Sequence, residues 1–429
     1  MINLTKLLCS LTLVFLFGCS SSTDETTISP PINGPEYLTI SADKTIFVVG
    51  ETAIFTVIDD EDENITSQSV ILVDGSAITA NSFSPTGPGN YEIKATYQSV
   101  TSNKIYVRAD PPVVLSSIEV SLSEPAVFIG GSVILSATAI YSDNTSVDIT
   151  TVSEFYIDDV LITGNEFTGS EVGAFVVKSV YESITSSDVL VQVVDPSNLP
   201  TSFSKKAIVE DFTGTWCGYC PRVSYAASLL EDQTDKVFVV GVHNGDQMAN
   251  SFGSQLENEY NITGFPTAYV DRNNTWTYPE PNNIDQALNA AQGTVGVGLA
   301  IESSLNENTL DMTIRTGFTE NITDARLVVF VLEDGIIANQ SNYTSYYGGA
   351  STIIDFEHNG VLRYAATDIL GDATTSILGI HEQSFSVNLN SYGVSDSSNT
   401  GILAMLVDES GRVLLNAQYA ASNESQDFD

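Results

Sequence analysis

Two cysteines three residues apart, Cys217 and Cys220, stand in the segment Trp216-Cys217-Gly218-Tyr219-Cys220-Pro221. An apolar, partly β-branched stretch (Lys206 to Phe212) precedes them and predicts a strand. A helical pattern from Val223 to Asp232 follows, with Pro221 in its first turn, where a missing N–H costs little. A helix N-terminus offers free N–H donors and partial positive charge, which stabilise a thiolate and lower a cysteine pKa. Cys217 is the expected nucleophile and Cys220, one turn in, the resolving thiol of a thiol–disulfide exchange. The same pair also fits a plain local staple.

The N-terminus carries a second cysteine signal. Lys6 precedes the mainly apolar run from Leu7 to Phe17, which is too short to span a bilayer and fits a signal peptide. The run ends Leu16-Phe17-Gly18-Cys19 and resembles the bacterial lipobox. The resemblance implies removal of residues 1–18, acylation of Cys19 and outer-membrane sorting, on the periplasmic face or at the cell surface. Residues 19–36, rich in Ser, Thr and Pro, read as the tether. Of four cysteines, Cys9 leaves with the signal and Cys19 is lipidated. Cys217 and Cys220 remain, in an oxidising compartment.

Charge narrows the partners. Fifteen basic residues face 54 acidic ones, a formal net charge of −39, which repels nucleic acid and anionic lipid head groups. Zinc needs about four ligands; one Cys pair and three scattered histidines (His243, His358, His381) do not supply them. No phosphate loop or Ser-His-Asp spacing stands out. The expectation is no metal and no cofactor.

Between tether and Cys pair lie two related segments. Gly50 and Gly130 follow matching apolar runs, and Tyr97-Gln98-Ser99-Val100-Thr101-Ser102 matches Tyr181-Glu182-Ser183-Ile184-Thr185-Ser186. Period-2 alternation (Ile54, Thr56, Ile58; Ile118, Val120, Leu122) predicts β-sandwiches. They resemble bacterial Ig-like modules, over 37–109 and 113–195, and would form a stalk that offers its own surface to a ligand. The acidic run Asp59 to Asn64 is either a calcium cluster or, more in keeping with its spacing, a solvated hairpin tip. From residue 294 alternation returns, predicting a C-terminal sandwich over 294–425. Within it a long loop, Asn339 to His358, carries Tyr343, Tyr346 and Tyr347, as a binding patch or a packed loop.

Residues 203–293 alternate strand and helix and resemble a thioredoxin-like domain. The match rests on the Trp-Cys-x-x-Cys-Pro motif, on Asp211 six residues before Cys217, and on Gly264-Phe265-Pro266-Thr267. The resemblance implies that Asp211 is a buried acid relaying a proton to Cys220. It implies a cis-Pro266 facing the disulfide beside Cys217. Trp216 would shield the sulfurs, or simply pack. His243, ending a core strand, is a site candidate or a structural histidine; His358 with Arg363 could bind an anion or tie down a loop. With Val242-His243-Asn244-Gly245-Asp246, Leu332-Glu333-Asp334-Gly335 and His358-Asn359-Gly360, the chain resembles the family related to the twenty-eight-kilodalton outer-membrane protein, over roughly 203–425.

The fold class expected is therefore multidomain: two all-β Ig-like sandwiches, one α/β thioredoxin-like domain and one C-terminal all-β sandwich. Two functions compete. One is thiol–disulfide exchange, of reductase or isomerase type, on extracytoplasmic protein thiols and disulfides. The other is surface binding or adhesion, with Cys217–Cys220 an inert disulfide.

Overall fold

The computed structural model describes residues 34–429; the expected signal peptide, Cys19 and most of the expected tether lie outside the described residues. The chain divides into two compact units, one ending at Val114 and one running from Leu115 to Asp429. Strands dominate both. Among the described residues no helix is long and apolar enough to cross a membrane.

The first unit is a β-sandwich. Leu38–Ala42 pairs antiparallel with Ala53–Asp59, and a second sheet runs in the order Ile46–Val48, Ile105–Asp110, Gly89–Tyr97, Val70–Val73, Ser76–Ala77. Strict alternation drives the packing: Ala53, Phe55 and Val57 are buried while Ile54 between them is exposed. The sequence Asp59-Asp60-Glu61-Asp62 is a turn in which Asp59 accepts hydrogen bonds from the backbone N–H groups of Glu61 and Glu63.

Residues 115–195 repeat this sandwich with the same order in the longer sheet: Ala126–Phe128, Val189–Val194, Gly173–Tyr181, Glu154–Ile157, Val160–Leu161. The repeat reaches individual hydrogen bonds. Ser102 Oγ accepts from Ala95 N at 2.8 Å and donates to Asn103 O; Ser186 Oγ accepts from Ser179 N at 3.0 Å and donates to Ser187 O. The second sandwich is packed onto the remainder of its unit through Ala126, Leu199, Phe203 and Leu378.

The remainder is built on one long mixed sheet. Its strands in chain order are β1 (Ala207–Thr213), β2 (Val237–His243), β3 (Thr267–Val270), β4 (Asn274–Thr275), β7 (Arg326–Glu333), β10 (Val361–Ala365), β11 (Asp372–Ala373), β13 (Thr400–Val407) and β14 (Leu414–Ala421). The spatial order is β4-β3-β1-β2-β10-β7-β13-β14, with β11 on β7. The helices are α1 (Pro221–Glu231), α2 (Ser251–Glu259) and α3 (Asp285–Ala290). β1 and β2 are parallel and joined through α1, whereas β3 returns antiparallel to β1. The sheet thus runs on past residue 293: β2 meets β10 through a Gly241–Val361 bridge. A Cβ on Gly360, which has φ +64°, would lie 2.4 Å from Val239 O, so the crossing needs glycine.

Alternation along β1 sorts the faces. Ile208 and Phe212 join Val240, Val242 and Leu256 of α2 in one core; Ala207 and Val209 join Val223, Ala226 and Leu230 of α1 in another. Over the far half, a sheet of β5 (Val297–Asn306), β6 (Thr309–Phe318) and β12 (Gly379–Asn388), edged by β15 (Ser425–Gln426), covers β7 and β13. The segment read as a long loop is instead mostly a hairpin, β8 (Ile336–Ser341) paired with β9 (Thr352–His358). Its alternation is broken by a register shift between Ala338 and Gln340, which hides the period-2 signal.

Candidate functional site

Cys217 and Cys220 form a disulfide with Cα atoms 5.4 Å apart. Cys220 caps α1 and Pro221 takes its first position. Neither half-cystine is open to solvent: Cys217 is 4% exposed and Cys220 1%. Their neighbours are open, with Trp216 49% and Tyr219 56% exposed.

The cover is the β8–β9 hairpin, whose contribution sequence reading missed. Ser341 N donates to Thr215 O at 2.8 Å and Tyr343 N donates to Gly218 O at 2.6 Å. The buried Gln340 amide donates to Cys217 O at 2.9 Å and to Gly214 O at 3.2 Å. The Tyr343 ring lies against Gly218, where a Cβ would come within 2.3 Å of it. Tyr343 also packs edge-on to Tyr219, and Tyr346 stacks on Tyr225 of α1 at 4.5 Å. The aromatic loop is therefore a strap across the Cys-x-x-Cys turn, with Tyr346 stacked on α1 and Tyr343 68% exposed at its outer edge. Its tyrosines were visible in the sequence, but a contact between residues some 120 positions apart leaves no local signal.

The remaining expected residues lie on the elements that lead to the pair. Asp211 lies on the α1 side of β1, 5% exposed, with Oδ1 unpartnered. Burial, reinforced by the charge of Glu280 and opposed by Arg222, pushes its carboxyl up to about 8. The Phe265–Pro266 peptide is cis, and Phe212 pairs with Thr267, so Pro266 comes to the end of β1 where the Cys segment begins. Trp216 meets Phe265 edge-on at 5.5 Å, and its indole N–H donates to Asn244 O at 2.7 Å. Half-exposed, it is a rim residue rather than core packing.

Of the histidines His243 and His358, the first is hydrogen-bonded and the second is not at Nε2. His243 Nδ1 is 2.8 Å from Asp246 Oδ2, which also accepts from Thr215 N just before the Cys pair. Burial acts to raise the Asp246 carboxyl, but His243 and the N–H groups of Thr215 and Met248 hold it down to about 2. His358 packs on His243 with ring centroids 5.1 Å apart, and its Nε2 has no partner. Arg363 does not join it; Arg363 pairs with Glu333 at 3.1 Å. A fully buried cluster unforeseen in the sequence sits on the opposite face: Arg272 with Glu210 at 3.3 Å, and the Tyr260 hydroxyl donating to Glu210 at 2.8 Å.

Comparison with known proteins is consistent with part of this picture. Residues 253–426 match the family described as outer membrane protein Omp28. That match supports a relation to the Omp28 family and association with the outer membrane. No curated protein matches the chain. Among solved structures, HBP35 of Porphyromonas gingivalis is 19% identical over 52% of this chain and 77% of its own, with a TM-score of 0.42. A domain of the outer membrane lipoprotein Omp28 from Porphyromonas gingivalis is 13% identical over 30% of this chain and 89% of its own, at 0.20. Domains 4 and 5 of the S-layer protein SbsC are 17% identical over 37% and 97%, at 0.25.

Proposed function

We propose that the protein is a lipid-anchored outer-membrane binding protein, held by Cys19 and raised on two Ig-like modules, in which the Cys217–Cys220 disulfide is a structural staple. The observation that carries this reading is the strap. Exchange needs in-line access of a thiolate to a sulfur. Here both half-cystines are buried residues, and Gln340, Ser341 and Tyr343 clamp the backbone on either side of Cys217. The disulfide then fixes the turn against which the strap folds.

A second reading, thiol–disulfide exchange by a thioredoxin-like domain, draws on Asp211. An unpartnered buried carboxyl on the strand that leads to the pair, protonated below about pH 8, is a proton donor of the kind that exchange uses. In that case a partner thiolate attacks Cys217 Sγ and Cys220 leaves as a thiolate. Asp211 gives it a proton, and a second partner thiol releases Cys217. The partner is oxidised and the pair reduced by two electrons. Trp216 and the cis-Pro266 edge would flank the incoming segment.

The reduction potential of the full chain separates the two. A staple gives a value below about −300 mV and no exchange in the folded state. Accumulation of mixed disulfides in cells by the Cys220→Ala chain would instead establish exchange.

A further inference from the structure

We propose that the cavity between α1, β2 and the β8–β9 hairpin is a binding site for an organic cation, an ammonium head on an apolar stem. The cavity holds about 780 Å³, within the range of small-molecule sites. Six carboxylate residues line it (Asp211, Glu231, Asp235, Asp334, Asp355 and Glu357) and no lysine or arginine does. Apolar and aromatic side chains share its walls with these acids, from Val237 and Val239 on β2 to Phe356 on β9 and Tyr347 in the strap.

Acids alone on so acidic a chain would mean little. The second observation is inside the cavity. His358 is 7% exposed and its Nε2 has no hydrogen-bond partner; Asp211 is 5% exposed and its Oδ1 has none. Buried polar atoms are nearly always paired, and each orphan costs about 1–3 kcal/mol. Two orphaned polar atoms, an imidazole nitrogen and a carboxyl oxygen, in one acid-lined cavity mark a place for a hydrogen-bonding ligand. A primary ammonium brings three donors and no acceptor. Burial, with His243 nearby, pushes His358 down to about 4, so its ring is neutral, and in the tautomer with the proton on Nδ1 its Nε2 accepts. Burial and the charges of Asp334 and Asp232 hold the Glu231 carboxyl above its usual range, a repulsion that a cation relieves. Aromatic faces at Phe356 and Tyr347 suit both the stem and the charge. Among the described residues no three acids or histidines converge as metal ligands. The donor set therefore favours an organic cation over a bare divalent ion.

The site stands whether the disulfide is a staple or exchanges, since none of its groups is a cysteine. The experiment is calorimetric titration of the full chain with benzylamine, and with benzyl alcohol and calcium as comparisons. Saturable one-to-one binding of benzylamine is expected, at least tenfold tighter than benzyl alcohol. The exposed-acid variant Glu231→Gln/Asp235→Asn/Glu357→Gln should weaken it at least tenfold. The first-sandwich variant Asp60→Asn/Glu61→Gln/Asp62→Asn should leave it unchanged. Equal weakening by both variants would reduce the effect to diffuse charge and overturn the site. So would the absence of saturation, or displacement of benzylamine by stoichiometric calcium.

Discussion

The repeated sandwiches and the long-sheet region differ in what they bury. Within residues 34–195 the buried polar side chains are three serines, Ser102, Ser179 and Ser186. From residue 206 onward the buried groups include Lys206, Glu210, Asp211, His243, Arg272, Glu280, Glu333, His358 and Arg363. The sandwiches keep their ion pairs outside, as in Lys104–Glu92, whose lysine is 55% exposed. Charges in a core are costly and are kept only where geometry pairs them or a function uses them. A spacer can do without them. Among the described residues the contrast places the buried charges in the region after residue 205.

The strongest test of that contrast removes one cation from each region. Arg272→Met strands Glu210 in the core beside Tyr260, and is expected to cost about 3–5 kcal/mol by denaturant unfolding. Lys104→Met, at an exposed pair, should cost less than about 1 kcal/mol. The double variant Glu210→Gln/Arg272→Met should recover part of the loss, because it removes the orphan. Equal effects of the two single variants would erase the distinction between the regions.

Next in size is a pH signature confined to the long-sheet region. The Asp211 carboxyl is raised to about 8 in the folded chain, against about 3.9 in an unfolded one. Between those values the folded state binds the extra proton. Its stability contribution is full below about pH 4 and is lost as pH rises towards 8, at up to about 1.4 kcal/mol per pH unit. Asp211→Asn should flatten that slope. His358 acts in the opposite sense. Its folded value is depressed to about 4, so its contribution is present above about 6.5 and is lost as pH falls towards 4. His358→Phe should therefore improve acid tolerance. Unfolding curves from pH 4 to 9 measure both, and a slope unchanged by Asp211→Asn removes the buried acid from the account.

The strap makes a kinetic prediction. Tyr343→Ala deletes the ring over Gly218 and its contact with Tyr219, worth roughly 0.5–1.5 kcal/mol. A strap weakened by that amount opens up to about tenfold more often. Reduction of Cys217–Cys220 by dithiothreitol in the folded chain should accelerate by the same factor. Gly218→Ala should do so too, since its methyl has no room under Tyr343. Rates equal to the parent would show that the hairpin does not guard the disulfide.

These contrasts also explain what the sequence could reveal. Alternation such as Ala53-Ile54-Phe55-Thr56-Val57 announces a half-buried strand because adjacent residues carry the signal. The strand–Cys-x-x-Cys–helix order around Asp211 was legible for the same reason, and so was the return strand after Pro266. The strap was not, because Tyr343 and Gly218 meet only through tertiary packing. Nor was the Glu210–Arg272 pair. A charge within an apolar strand reads as an irregularity until its partner, 62 positions on, is placed beside it. The continuity of the long sheet across residue 293 was hidden by composition: β5 and β6 alternate like an independent sandwich, while β7 and β13, buried on both faces, belong to the sheet that begins at β1.

The smallest effect concerns the second sandwich, which resembles the first in topology but not in its surroundings. Asn321, in the turn after β6, donates through Nδ2 to Glu124 Oε2 at 2.6 Å and to Ala126 O at 2.9 Å. Its Oδ1 accepts from Leu378 N, so one amide ties the sandwich to the segment beside Phe203. Asn321→Ala leaves Ala126 O and Leu378 N without that partner at an interface whose apolar part (Ala126, Leu199, Phe203, Leu378) remains. The cost should be about 1 kcal/mol, and hydrogen exchange should rise in 126–128 and 189–194 while staying constant in 105–110 of the first sandwich. If exchange instead rises equally in both sandwiches, the docking of the second on the long-sheet region has no energetic weight, and the two copies behave as equivalent spacers.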